Sequence, residues 1–208
     1  MARKEFTAAE MRELLGELDK ELQRLGKAAT IFIVGGAAMA LAYNAERASA
    51  DIDATFEPRD VVLDAAAVVA RRFGLDRNWL SEGVRDFMPP VPDDHPRGER
   101  IGPALVIEIA SPEYILAMKS MTTRKSDGDL ADAVHLCTLL GVSTEAELEA
   151  IVRRYFPGGG SAPGNCSSSG SSTHSRSSSK AHLTARPLGI GLRVFLQTEF
   201  VRVSPPRR

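Results

Sequence analysis

I-F-I-V-G-G-A-A-M-A-L-A-Y-N-A-E-R-A-S-A-D-I-D, from Ile31 to Asp53, decides how the chain is read. Ile31 to Val34 is a continuous apolar run rich in β-branched residues and bounded by glycine. That pattern suits a short buried strand in a sheet covered on both faces. Gly35 and Gly36 let the backbone turn sharply and approach a bulky ligand. The small residues after them can enter a helix, Ala37 to Tyr43, whose first N–H groups favour a phosphate. Asp51 and Asp53 then fall on one face of a second strand, Asp51 to Phe56, because strand side chains alternate. Two neighbouring carboxylates repel unless a cation lies between them, and hard oxygen ligands suit Mg²⁺.

Outward from this stretch the chain alternates helix and strand. Thr7 and Glu10 form a capping box. Met11, Leu14, Leu15, Leu18, Leu22 and Leu25 follow at helical spacing, and Gly26 stops the helix. Beyond the second strand, Pro58 breaks the chain, Asp60 is read as a helix cap, and Gly74 ends that helix. Arg77 to Phe87 reads as a short helix anchored by Trp79 and Phe87. Met88 to Gly102, rich in Pro, Asp and Gly, reads as a loop. Ala104 to Ala110, A-L-V-I-E-I-A, is the third strand. Ser111 caps a helix with Pro112 at its first position, where the missing N–H costs nothing. A polar turn leads to a helix from Asp129 to Leu140, stopped by Gly141. Thr144 and Glu147 form a second capping box for a helix running to about Tyr155.

Composition excludes several classes. The chain has 208 residues, 43% hydrophobic and 25% charged, as in ordinary globular domains. A net charge of −1 gives no global basic field for nucleic acid, although a local basic site remains open. Cys137 and Cys166 are far apart and make no disulfide framework or zinc spacing with the histidines. No segment is apolar and long enough to span a bilayer, and M-A-R-K-E-F-T lacks a signal peptide's apolar core. A cytoplasmic protein is the expectation.

The order strand, Gly-Gly turn, helix, strand with D-x-D resembles the nucleotidyltransferase superfamily. S-P-E-Y-I-L-A-M-K, residues 111–119, followed by Arg124, Lys125 and the run D-G-D-L-A-D, narrows the resemblance to the AbiEii type. These are nucleotidyltransferase-fold proteins that include toxin halves of toxin–antitoxin pairs. W-L-S-E-G-V-R-D-F-M-P-P, residues 79–90, is similar to a segment of one uncharacterised bacterial branch. The resemblance covers about Ile31 to Tyr155. It implies a small α/β nucleotidyltransferase-like sheet with flanking helices and a helical C-terminal half, residues 1–156. It also implies Mg²⁺-dependent transfer of a nucleoside monophosphate from an NTP to an acceptor hydroxyl. RNA, with a tRNA end favoured, is the acceptor it suggests, and a cognate antitoxin or operon partner the protein partner. A protein side chain or a small molecule remains open as acceptor, and a catalytically silent relative acting as an interaction partner is the rival.

Residue by residue, the resemblance gives Gly35 and Gly36 the phosphate-side turn and Asp51 and Asp53 the metal. Glu108, the one charge in an apolar strand, is the candidate third metal carboxylate, since an isolated charge there is costly. Its alternative reading is an edge-strand side chain in water. Lys119 and Arg124 would contact nucleotide phosphates, and Asp129 or Asp132 would orient the lysine. Plain readings stand beside these: a snorkelling helix lysine for Lys119 and a helix N-cap for Asp129.

After Pro157 the composition changes to Gly and Ser, which cannot bury a core, so residues 157–208 are expected to be a disordered or non-native tail. A chain cut after Pro157 is therefore expected to keep its melting temperature within a few degrees. A large drop in a thermal melt would show that Leu188 to Val203 docks on the domain.

Overall fold

The computed structural model describes residues 5–122 and 126–158. The remaining residues, including the Gly/Ser-rich tail, Arg124 and Lys125, lie outside the described part. In chain order the elements are α1 (Ala8–Arg24), β1 (Ala29–Ile33), α2 (Gly35–Ala38), β2 (Ile52–Glu57), α3 (Arg59–Phe73), β3 (Leu80–Ser81), β4 (Arg97–Arg100), β5 (Leu105–Ile109), α4 (Pro112–Met121), α5 (Asp127–Leu140) and α6 (Glu145–Tyr155). A π-helical turn, Met39–Tyr43, continues α2, and a 3-10 turn covers Arg85–Phe87.

Local chemistry places the helix ends. Both capping boxes close: Glu10 N–H donates to Thr7 Oγ1 at 3.3 Å, and Glu147 N–H to Thr144 Oγ1 at 3.3 Å. Ser111 caps α4, with Pro112 in its first turn. Gly74 and Gly141 end α3 and α5 at φ +63° and +68°, where a Cβ would be strained. Two caps differ from the sequence reading. Pro58 precedes α3, so Asp60 lies inside the first turn. Ser126 caps α5, so Asp129 is not its N-cap.

The five strands form one mixed sheet in the order β3-β2-β1-β5-β4. β1 pairs antiparallel with β2 and parallel with β5. One face carries Ile31, Ile33, Ile52, Ala54, Leu105, Ile107 and Ile109, all fully buried. α1 and α3 cover it, with Met11, Leu15, Leu18, Leu22, Val62 and Val69 sealed from solvent. Trp79 is buried there too, and its indole N–H donates to the Ala66 carbonyl of α3 at 3.1 Å. The other face is covered only in part. Phe32, Thr55 and Glu108 on it are half-buried, so β1 alternates rather than being enclosed on both sides. α4 reaches this face through Tyr114, whose ring meets Phe32 edge-on at 5.5 Å and Tyr155 of α6 at 5.2 Å.

Three stretches depart from the sequence reading. Arg77 to Phe87 is not one helix: Leu80 and Ser81 pair with Ile52 and Asp53, only Arg85–Phe87 makes a 3-10 turn, and of the two expected anchors Trp79 is buried while Phe87 is 64% exposed. The segment read as a loop contains β4, R-G-E-R, which pairs antiparallel with β5. Its charged side chains suit an edge strand, where they discourage further pairing. β5 is therefore interior, and Glu108 is not on an edge.

Asp19 on α1 holds the turn between β4 and β5. It is 4% exposed; its Oδ1 accepts from Ala104 N–H at 2.8 Å and its Oδ2 from Gln23 Nε2 at 2.6 Å. A Cβ on Gly102 would fall 2.1 Å from the same carboxylate. Asp19→Ala should leave a buried N–H without a partner and destabilise the fold by about 1–3 kcal/mol. Urea denaturation checks this; an unchanged midpoint would show that the turn does not need the carboxylate.

Candidate functional site

β1 ends beside β2, and the chain must leave it past Asp53. Val34 N–H donates to the Asp53 carbonyl at 3.0 Å. Gly35 then adopts φ +64°, and a Cβ built on it would lie 3.7 Å from Asp53 Oδ2. The left-handed backbone requires glycine here, and it lays bare peptide against a carboxylate. At Gly36 a Cβ would come within 3.0 Å of Ser49 Oγ, so this position also favours the smallest residue. The helix that follows is only four residues long before it widens into the π-helical turn.

Asp53 is half-buried, and its Oδ1 accepts from Ser81 Oγ at 3.0 Å. β3 supplies that serine because it pairs parallel with β2. Asp51, also half-buried, sits just before β2 begins. Glu108 lies on the same sheet face as Asp53 but in another row. It stands level with Phe32 and Thr55, whereas Asp53 stands level with Val34. Two strand spacings put the backbones of β2 and β5 roughly 10 Å apart. Among the described residues, no three or more His, Cys, Asp or Glu side chains gather closely enough to hold one metal ion.

A second group of charges adjoins the glycine turn. Lys119 on α4 lies 2.9 Å from Asp129 Oδ1 and 2.8 Å from Asp132 Oδ2, with its side chain 8% exposed. Asp129 and Asp132 are one helical turn apart on α5, so both carboxylates reach one ammonium. Lys119 is thus a paired, largely buried cation rather than a snorkelling one. Asp132 is 2% exposed, and its Oδ1 accepts from Arg47 Nε at 3.2 Å. Its Oδ2, also buried, lies in ion-pair reach of Lys119 but off the angle of a hydrogen bond.

Backbone contacts hold these charges in place. Ser49 exchanges two hydrogen bonds with Phe6, at 2.7 and 3.0 Å, fixing the segment that carries Arg47. His135 Nε2 lies 2.8 Å from the Tyr43 carbonyl oxygen, tying α5 to the π-helical turn. The Tyr43 hydroxyl donates to the Ala110 carbonyl at 2.7 Å. Burial, aided by the Asp93 carboxylate, pushes its pKa up to about 12. Asp93 accepts from Ser111 N–H at 2.6 Å and from Ser111 Oγ at 2.9 Å, which pins the start of α4.

Of the residues singled out from sequence, Gly35, Gly36 and Asp53 meet at the end of β1. Lys119, Asp129 and Asp132 meet between α4 and α5. Glu108 stands a row away, and Arg124 lies outside the described residues. Ser81 and Ser49 were not legible as site residues. In the sequence Arg47 is simply the basic residue nearest Asp51 and Asp53. No helix among the described residues is long and apolar enough to cross a membrane. No protein-family model, curated protein or solved structure matches the chain.

Asp132 is the most deeply buried charge of this group, and Lys119 and Arg47 both lean on it. Asp132→Asn should cost about 2 kcal/mol or more, since it leaves cations poorly compensated. Asp129→Asn, at a more exposed carboxylate, should cost less. Denaturant midpoints of the two variants decide; equal midpoints would show that burial at Asp132 carries no extra weight.

Proposed function

We propose that the protein moves a nucleoside monophosphate from an NTP to an acceptor hydroxyl. The observation that carries this reading is the turn at Gly35 and Gly36. On one side it lies against the Asp53 carboxylate, and on the other it adjoins Arg47 and the Lys119 cluster. Carboxylates for a cation and cations for phosphate thus border one stretch of bare backbone. A triphosphate with its divalent metal needs that pairing of opposite charges.

The donor set fits Mg²⁺ through Asp51 and Asp53, which offer hard carboxylate oxygens in a half-exposed position. Held by these carboxylates, Mg²⁺ would supply positive charge against the negative charge that develops on the phosphates during transfer. The chain's own residues do the rest by positioning. Ser81 fixes one oxygen of Asp53 and leaves the other facing the glycine turn. Lys119, held by Asp129 and Asp132, meets the phosphates without having to be ordered on binding. An acceptor hydroxyl lying over Phe32 and Thr55 would have the α-phosphate on one side and Glu108 on the other. Glu108 would take the hydroxyl proton as the oxygen attacks phosphorus and pyrophosphate leaves. The toxin resemblance favours an RNA end as acceptor and a cognate antitoxin as partner.

One observation favours a second reading. Glu108 stands a full row from Asp53, and a site that binds nucleotide without transferring it would act as an interaction module. The two are separated by Asp51→Asn, Asp53→Asn and Glu108→Gln. Either aspartate variant should lose Mg²⁺-dependent NTP binding, by at least about tenfold in calorimetric affinity, while staying folded. Glu108→Gln should bind NTP as before but fail to move α-phosphate label into RNA, protein or small-molecule fractions. Unchanged Mg²⁺–NTP affinity in both aspartate variants would remove the site assignment. Wild-type protein that binds NTP yet labels nothing would establish the interaction reading.

A further inference from the structure

Arg47 has the most unusual surroundings of any charged side chain near the glycine turn. Its Nε is committed to Asp132 Oδ1 at 3.2 Å, and its side chain is 32% exposed. Among the described residues, Nη1 and Nη2 meet no acceptor. The guanidinium is wedged between two glycines. A Cβ on Gly128, in the first turn of α5, would fall 2.9 Å from Nη2, and one on Gly36 would fall 3.9 Å from it. Any larger residue at position 128 would push the guanidinium out of its slot.

Arg47 is not needed to neutralise Asp132, because Lys119 already lies 2.8 Å from the other oxygen. That oxygen is buried and takes no aligned hydrogen bond from the ammonium. The lysine donates to Asp129 Oδ1 at 2.9 Å and is held to Asp132 by charge alone, so it keeps N–H groups to give elsewhere. Asp132 fixes the separation of two cations, each with donors left over. The four charges Lys119, Arg47, Asp129 and Asp132 sum to zero, so an arriving anion meets positioned donors without a net repulsive field.

We infer that Arg47 is a phosphate-binding residue, held by Asp132 as the counterpart of Lys119, that receives the nucleotide's phosphate tail on its free Nη groups. The inference deepens the nucleotidyl-transfer reading and rests on it for the identity of the ligand. A planar guanidinium anchored through Nε still presents a fork of N–H donors matched to two phosphate oxygens. Lysine at the same place would offer only a point charge.

The test uses the full chain, its Arg47→Gln and Arg47→Lys variants, and titration calorimetry with Mg²⁺ and three probes: each NTP, the matching NMP, and inorganic tripolyphosphate. Arg47→Gln should weaken NTP and tripolyphosphate binding by at least about tenfold and leave NMP binding nearly unchanged. Arg47→Lys should recover only part of the loss. In wild-type protein treated with phenylglyoxal, tripolyphosphate should protect Arg47 from modification, as peptide mapping reads it; this arm stands even if a variant fails to fold. NTP affinity unchanged in Arg47→Gln, equal weakening of NTP and NMP, or no protection of Arg47 would overturn the inference while leaving nucleotide binding in place. Protein that binds tripolyphosphate through Arg47 but no NTP would keep the phosphate site and remove the nucleotidyl-transfer reading. Wild-type protein that binds neither would remove both.

Discussion

The left-handed backbone at Gly35 is the constraint from which the rest of the site follows. β1 lies in the middle of the sheet with partners on both edges, so its chain can leave only at the end, beside Asp53. A residue with a Cβ would be strained at φ +64°. Because the turn is made there, α2 begins at once, the π-helical turn follows, and the segment bearing Arg47 and Ser49 folds back over Gly36. β2 then delivers Asp53 to the same point. One backbone conformation thus brings together residues that are far apart along the chain.

The charged group between α4 and α5 works by a different logic. Burying Asp132 and Lys119 removes both from water, and their mutual attraction largely offsets that cost without adding much net stability. What the arrangement supplies is geometry. Two cations share one carboxylate, and Asp129, one helical turn away, fixes the lysine from the other side. Holding the site and specifying how the helical half docks are here the same interaction.

The parts legible in the sequence were those written in local chemistry. Thr7 with Glu10, Thr144 with Glu147, Ser111 with Pro112, and the terminating glycines all act within a few residues of one another. The apolar runs of β1 and β5 and the alternation of β2 were equally plain, because burial of one sheet face demands them. β3 and β4 were not legible, since neither has an apolar signal of its own. Leu80 and Ser81 form a strand because Ile52 and Asp53 offer an open edge, and R-G-E-R does so because β5 does. Phe87 looked like an anchor by residue type, yet only Trp79 has a carbonyl within reach of its polar atom and a cavity to fill. For the site, residue type marked Asp53, Gly35 and Lys119. Arg47 and Ser81 took part through contacts no spacing rule encodes, and Glu108 shared their face without sharing their row.

The two edges of β1 are completed at very different times during synthesis. β2 follows it closely, and Thr30 pairs with Glu57 across an antiparallel hairpin-like unit that α1 and α3 can already cover. The other edge waits for β5, where Ala29 pairs with Leu105. Until that strand has left the ribosome, the central strand carries a bare row of amides and carbonyls beside mostly apolar side chains. Such an edge can pair with another nascent chain, and sequence-distant parallel pairing is slow to close it. The placement that puts β1 at the heart of the finished sheet makes it the element most exposed to misassembly while the chain is still being made.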